Sequence, residues 1–327
     1  MTSSNNWMIK AVLLDKTGGA TPLNEKQIHK WKPEDGTIWI HINLSHPKAK
    51  LFLKNNTYLD EWTKHALINP SQLKPCSFIH NNGLLLIIRT TNLTPRSKPD
   101  DMVFLSVFAT KDHIISTRIH PAISFKEIME TFDEQTGPKN TNELIEMILE
   151  NTLNSIANSV SDMEEYLDDI EEKIISHQPS STLTDELTEL MRRLVIMHRF
   201  LTPQRDALET LPYHRMPWFN KKTEHLSRNN FYRMQRIIED ITLLKERCRI
   251  NQEALNQHDV KQSQKNMYML SVIATIFLPL SFLASLFGMN VGGIPFSEDP
   301  YGLALTACFI ASIGILLIYL FKRAHWL

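Results

Sequence analysis

The sequence predicts an N-terminal α/β domain, a helical bundle with one long stalk helix, and two transmembrane helices at the C-terminal end. Three observations predict this. Strand-like and helix-like runs alternate over residues 1 to about 120, within an α/β domain of residues 1–140, no glycine occurs from Pro138 to Phe287, and two long uncharged apolar runs close the chain, Met267 to Met289 and Gly302 to Phe321.

In the first region Met8 to Leu14, Thr37 to Leu44, Leu84 to Thr91, Met102 to Ala109 and His113 to Arg118 are rich in Ile, Val, Leu, Phe and Thr, as strands are. Helical stretches, Pro47 to Lys54 and Asp60 to Ile68, fall between them. The pattern implies a sheet carrying helices on at least one face. No dinucleotide fingerprint, phosphate loop, HExxH pair or triad-like constellation occurs, so an enzyme is not expected. The N-terminal MTSSNNWMIK has neither the basic nor the apolar region of a secretory signal, which leaves the bulk of the chain in the cytosol. Cys76, Cys248 and Cys308 share no metal-ligand spacing and are too few for a disulfide framework. With 35 basic against 36 acidic residues, whole-chain charge gives no reason to expect a nucleic-acid partner.

The glycine-free middle lacks the residue that most often ends a helix. Pro179, Pro203, Pro212 and Pro217 punctuate it, predicting helices near 141–177, 183–211 and from about 222 onward, with Thr202-Pro203 as a place to kink. No proline then appears until Pro279, so one helix can run from Thr223 to Phe287, about 98 Å at 1.5 Å per residue. Residues 141–266 are thus a cytoplasmic bundle and stalk. Asp162, Glu164, Glu165, Asp168, Asp169, Glu171 and Glu172 form an acidic run within it, either a solvated helix face or a holding place for hydrated cations.

The spans, 267–289 and 302–321, are each long enough to cross a hydrocarbon core of about 30 Å. Lys261 and Lys265 precede the first, and Lys322, Arg323 and His325 follow the second, whereas loop 290–301 carries only Glu298 and Asp299. Positive flanks stay inside, so both termini, including the tail 322–327, are expected in the cytoplasm of an inner-membrane protein, with a cation-attracting acidic loop outside. Pro279 is tolerated where neighbouring helices and Ser or Thr hydroxyls re-satisfy the freed carbonyl.

Heptad phase divides the long helix. One stripe, Ile237, Ile241, Leu244, Cys248 and Leu255, continues in the membrane as Met269, Val272, Ile276, Pro279, Leu283 and Leu286, an apolar face for other helices or lipid. The opposite stripe reads Glu253, Gln257, Val260, Gln264, Met267, Ser271, Ala274, Leu278, Ser281 and Ser285. Small and hydroxylic residues in a span mark either close helix contact or a water-lined path. A hairpin of two spans cannot enclose water, so a path requires a homo-oligomer.

Gly288, Met289 and Asn290, just after an uncharged span, resemble the Gly-Met-Asn signature of the CorA family. The following Val-Gly-Gly-Ile-Pro, together with WMIKAVLLDKTGGATPL, IWIHINL, HIISTR, EQTGP and VIMHRFLTPQRDALETL, is similar to the zinc-transporting ZntB branch. The resemblance covers essentially the whole chain. It implies a funnel-shaped homopentamer with Asn290 at the outer mouth and Gln264, Met267, Ser271, Ala274, Leu278 and Ser281 lining the pore, in agreement with the stripe. It implies a transported divalent metal, Zn²⁺, and no resident cofactor.

Ligand chemistry alone does not select zinc. The spans hold no histidine and only Cys308, while Zn²⁺ prefers Cys and His. Asn290 carbonyls with Ser271, Ser281 and Ser285 hydroxyls suit outer-sphere handling of a hydrated ion. A Mg²⁺, Co²⁺ or Ni²⁺ channel of the same fold and a non-conducting scaffold or sensor are the alternatives. Proton coupling, a property of ZntB relatives, would need the loop, the stalk or water, because neither span carries Asp, Glu or His.

Overall fold

The computed structural model describes residues 7–80, 82–92, 101–121, 123–176, 181–214, 216–289 and 301–323. Two compact units emerge, Met1–Gln252 and Glu253–Leu327.

The first unit is built on a seven-stranded sheet: β1 (Met8–Leu14), β2 (Ala20–Pro22), β3 (Ile38–Asn43), β4 (Cys76–His80), β5 (Gly83–Thr90), β6 (Val103–Ala109) and β7 (His113–Arg118). Their order is β2-β1-β3-β7-β6-β5-β4, with β3 and β7 parallel and every other pair antiparallel. Helices α1 (Glu25–Lys30), α2 (Pro47–Asn55) and α3 (Glu61–Ile68) lie on one face, over a core of Ile38, Ile40, Ile42, Leu85, Ile87 and Ile115. The other face meets α4 (Ile123–Asp133), whose Phe125 and Phe132 lie against Trp39. Covering both faces explains why β5, GLLLIIRT, reads as a continuous apolar run rather than an alternation.

Two quoted stretches meet in space. The Asp15 carboxylate accepts from the backbone N–H groups of Thr17, Gly18 and Gly19, which holds it below the usual carboxylate range. Gly18, at φ +119°, then accepts from the Gly137 N–H at 2.8 Å. A Cβ on Gly18 would fall 2.4 Å from the Gln135 carbonyl oxygen, so only glycine fits this approach of KTGG to EQTGP.

The bundle comprises α5 (Thr141–Ile175), α6 (Ser181–Thr210) and α7 (Lys221–Phe287). Helix α5 is capped by Asn140, which accepts from the Glu143 N–H, and α7 by Asn220, which accepts from the Thr223 N–H at 2.8 Å. Helix α6 runs through Pro203 without ending there. The next residue anchors it: Gln204 accepts from the Arg89 N–H at 2.6 Å and donates to the Arg89 carbonyl at 3.2 Å. It thereby pairs β5 beyond the point where β4 stops, at Cys76 opposite Ile87. The Arg89 guanidinium is held between the Phe104 and Phe200 rings, 3.8 and 3.7 Å from their centres. Gln204→Ala is therefore expected to destabilise this unit by about 1–3 kcal/mol, the cost of two buried backbone groups left unpaired. Chemical denaturation would read it, and no change in midpoint would remove Gln204 from the α6–sheet junction.

Ser116 accepts from Trp39 Nε1 at 2.8 Å and lies 2.9 Å from His41 Nδ1, with the His41 ring stacked on Phe125. Burial, then the charge of Arg118, pushes the His41 imidazole well below its ordinary value. Only the unfolded chain takes up that proton, so stability is present above about pH 6.5 and is lost as pH falls below it. The denaturation midpoint of the native protein should drop with acid more steeply than that of His41→Phe.

The acidic run has a partner. Arg247 on α7 meets Asp168 at 2.5 Å, Glu171 at 2.7 Å and Glu164 at 3.7 Å. Asn251 donates to Glu171 at 2.7 Å, and the Arg247 hydrogen bond holds the Glu171 carboxyl below its usual range. Three of the seven acids thus fasten α5 to α7.

In the second unit the end of α7 pairs with α8 (Gly302–Arg323). Gly314 of α8 faces Leu280, whose Cδ1 would make an ordinary contact of 3.4 Å with a Cβ placed there. Phe287 meets Phe309 edge-on at 6.3 Å.

Candidate functional site

Both α7 and α8 are long and apolar enough to cross a membrane. The part of α7 beyond Met267 has two unlike sides. Val272 is buried and Ile276, Leu280, Leu283 and Phe287 are half-buried, a ridge at spacings of 3 and 4 that faces α8. Met267, Ser271, Ala274, Leu278, Ser281 and Ser285 are all exposed. At roughly 100° per residue the two sets lie about 180° apart around the helix. The stripe of small, hydroxylic and polar residues is thus the side of α7 that its own hairpin leaves bare. Gln264, one turn earlier, is exposed in the same phase, as are Glu253, Gln257 and Val260. The apolar stripe divides: Val272, Ile276 and Leu283 turn toward α8, whereas Met269, Pro279 and Leu286 remain exposed.

Helix α7 continues through Pro279. The carbonyl that a proline frees four residues back belongs to Thr275, whose hydroxyl bonds the Ser271 carbonyl at 2.8 Å. Gly288 follows the last helical residue and its N–H still reaches the Ala284 carbonyl at 3.0 Å. Met289 is exposed. Asn290, Glu298 and Asp299 lie outside the described residues.

Among the described residues no group of three or more His, Cys, Asp or Glu side chains is placed to hold a metal ion. From Gln264 to Ser285 the stripe offers a passing cation only hydroxyls, one amide and apolar groups. Such a surface can exchange hydrogen bonds with an ion's water shell, and has nothing with which to replace it. The second side of this helix, bare and uncharged, was legible in heptad phase; that it stands opposite α8 was not.

Comparison with known proteins agrees with this architecture. The divalent cation transporter CmaX of Pseudomonas aeruginosa is 29% identical over 322 residues, covering 98% of this chain and 97% of CmaX. The zinc transport protein ZntB of Pectobacterium carotovorum is 27% identical over 323 residues, covering 98% of this chain and 96% of ZntB. The solved structure of full-length CmaX superposes with a TM-score of 0.83 at 27% identity, covering 99% of this chain and 100% of that one. Residues 34–323 match the model of the CorA-like Mg²⁺ transporter protein, and the chain belongs to this CorA family of divalent cation transporters.

Proposed function

We propose that the protein is a zinc importer of the inner membrane, in which five copies of α7 turn the Gln264-to-Ser285 stripe toward a common axis and pass hydrated Zn²⁺ between them. The observation that carries this reading is the stripe's position: polar and small residues occupy the side of a membrane-length helix that α8 leaves uncovered. In lipid that side is costly for hydroxyls unless water or another helix meets it. Copies of the same helix supply the enclosure. Zinc as cargo is supported by similarity to ZntB, not by ligands in the spans.

Inward movement of a divalent ion is favoured by about 4.6 kcal/mol per 100 mV of potential, twice the value for one elementary charge. No proton is required for that drive. The basic residues Lys261, Lys265, Lys322 and Arg323 flanking the spans support cytoplasmic termini and an acidic outer loop with Glu298 and Asp299.

A second reading, a Mg²⁺, Co²⁺ or Ni²⁺ channel, is favoured by Gly288-Met289-Asn290 and by the lack of zinc-preferring side chains along the stripe. Reconstituted vesicles with an internal metal indicator and an internal pH dye separate the two. Zinc uptake exceeding that of the other ions supports the first reading; equal or greater magnesium uptake overturns it. No uptake of any divalent ion overturns the pore itself. Native mass in a mild detergent is expected to give five copies, and a monomer there would leave the stripe with nothing to face.

A further inference from the structure

The sheet face beneath α1 and α2 holds a cavity of about 280 Å³ near the first residues of β3 and β7. A cluster of rings joins Ile28, Ile38, Ile40, Leu51 and the polar Asn55 and Asn56 in lining it. Trp31 stacks on His113 at 5.4 Å with 29° between the planes, and Tyr58 lies 5.6 Å from His113 and edge-on to Trp31 at 5.8 Å. The same three rings line a second cavity of about 440 Å³.

Trp31 and Tyr58 spend their polar atoms within the fold: Trp31 Nε1 donates to the Gly36 carbonyl at 3.1 Å, and the Tyr58 hydroxyl to the Trp31 carbonyl at 3.3 Å. His113 is different. It is 6% exposed and lines both cavities, yet among the described residues no group hydrogen-bonds its ring. Burial pushes its imidazole down to about 4, so at neutral pH one ring nitrogen donates and the other accepts. With no protein partner, the ring nitrogens are left to whatever fills the cavities, water or a ligand. At the rim Glu25 and Lys48 neutralise each other at 2.9 Å.

We propose that this cavity binds an uncharged planar heteroaromatic molecule of nucleoside size, stacked on the Trp31, Tyr58 and His113 rings and hydrogen-bonded to the His113 imidazole. The ring cluster favours a flat ligand that can lie against it. One unpaired donor and one acceptor select a ring with polar edges over a hydrocarbon. A volume at the foot of the roughly 300–1,000 Å³ span of small-molecule clefts selects a nucleoside over a dinucleotide. The fixed charges of the lining, Glu25 and Lys48, are spent on each other, so a phosphate meets no unpaired lysine or arginine there. The site lies wholly within Met1–Gln252 and does not depend on what the membrane helices carry.

The test uses the full chain in detergent, titrated separately with adenosine, guanosine, cytidine and uridine, and followed by tryptophan fluorescence and calorimetry. Two variants change exposed rim residues, Leu51→Arg and Tyr58→Ala, where Leu51 is 57% and Tyr58 55% exposed in the native fold. At least one nucleoside should bind saturably with a change in emission, its 5′-monophosphate about tenfold more weakly, and each variant about tenfold more weakly, with the melting temperature unchanged in Leu51→Arg and lowered only slightly in Tyr58→Ala, which gives up the hydroxyl bond to Trp31. If one variant melts early, the other decides. The proposal is overturned by no saturable binding of any of the four up to about 1 mM, by binding that survives in the well-folded variants, or by a monophosphate that binds as tightly as its nucleoside.

Discussion

Leu278→Ser is expected to raise cation flux or leak by about tenfold or more in reconstituted vesicles. Leu278 is 69% exposed on α7 and sits between Ala274 and Ser281, so in a ring of copies it projects farther toward the axis than either neighbour. A ring of leucines closes a narrow path by expelling water, and an ion that keeps its hydration shell cannot follow. Serine is smaller and takes hydrogen bonds from water, which removes both the constriction and its dryness. Lowering the barrier by about 1.4 kcal/mol accounts for the tenfold rise. Met267, 67% exposed in the same phase, is expected to form the second constriction. Unchanged uptake and selectivity in Leu278→Ser, at normal expression and assembly, would put both residues outside the pathway.

The helical half was legible because its signals are long. The glycine-free stretch and the spacing of Pro179, Pro217 and Pro279 predicted helices whose observed bounds differ by a few residues. The strands β1, β3, β5, β6 and β7 carry their own apolar patterns and were found. What was missed depends on partners. Strand β2 has three residues, one of them Pro22, and exists through its register with β1. Strand β4 is an edge strand whose Ser77 donates to the Ala207 carbonyl, 130 positions away. The capping box of α1, with Asn24 and Gln27 as its two members, was readable and overlooked. At the acidic run, composition left two alternatives open, and the arrangement with Arg247 assigns Glu164, Asp168 and Glu171 to packing of α5 on α7. No local pattern contains Arg247. The same holds for Trp31, Tyr58 and His113, which three separate segments bring to one cavity.

Asn290→Ala is expected to abolish uptake while leaving assembly nearly intact. The residue follows Gly288 and Met289 at the end of the first span, and its side-chain carbonyl is a neutral acceptor for the water shell of a cation. In a homo-oligomer one substitution removes that oxygen from every copy, so the whole ring of acceptors disappears, whereas the Gly314–Leu280 and Phe287–Phe309 contacts that join the spans are untouched. Glu298→Gln combined with Asp299→Asn should do less. Carboxylates in a loop raise the local cation concentration by an electrostatic effect that salt screens over about 8 Å at physiological ionic strength, so uptake by that double variant should fall mainly at low salt. Metal uptake into vesicles across a series of ionic strengths distinguishes the two roles. Normal transport by Asn290→Ala beside a double variant that is inactive at every salt concentration would move selection from the Gly-Met-Asn mouth to the acidic loop, since a screened surface charge cannot account for a loss that salt does not modulate.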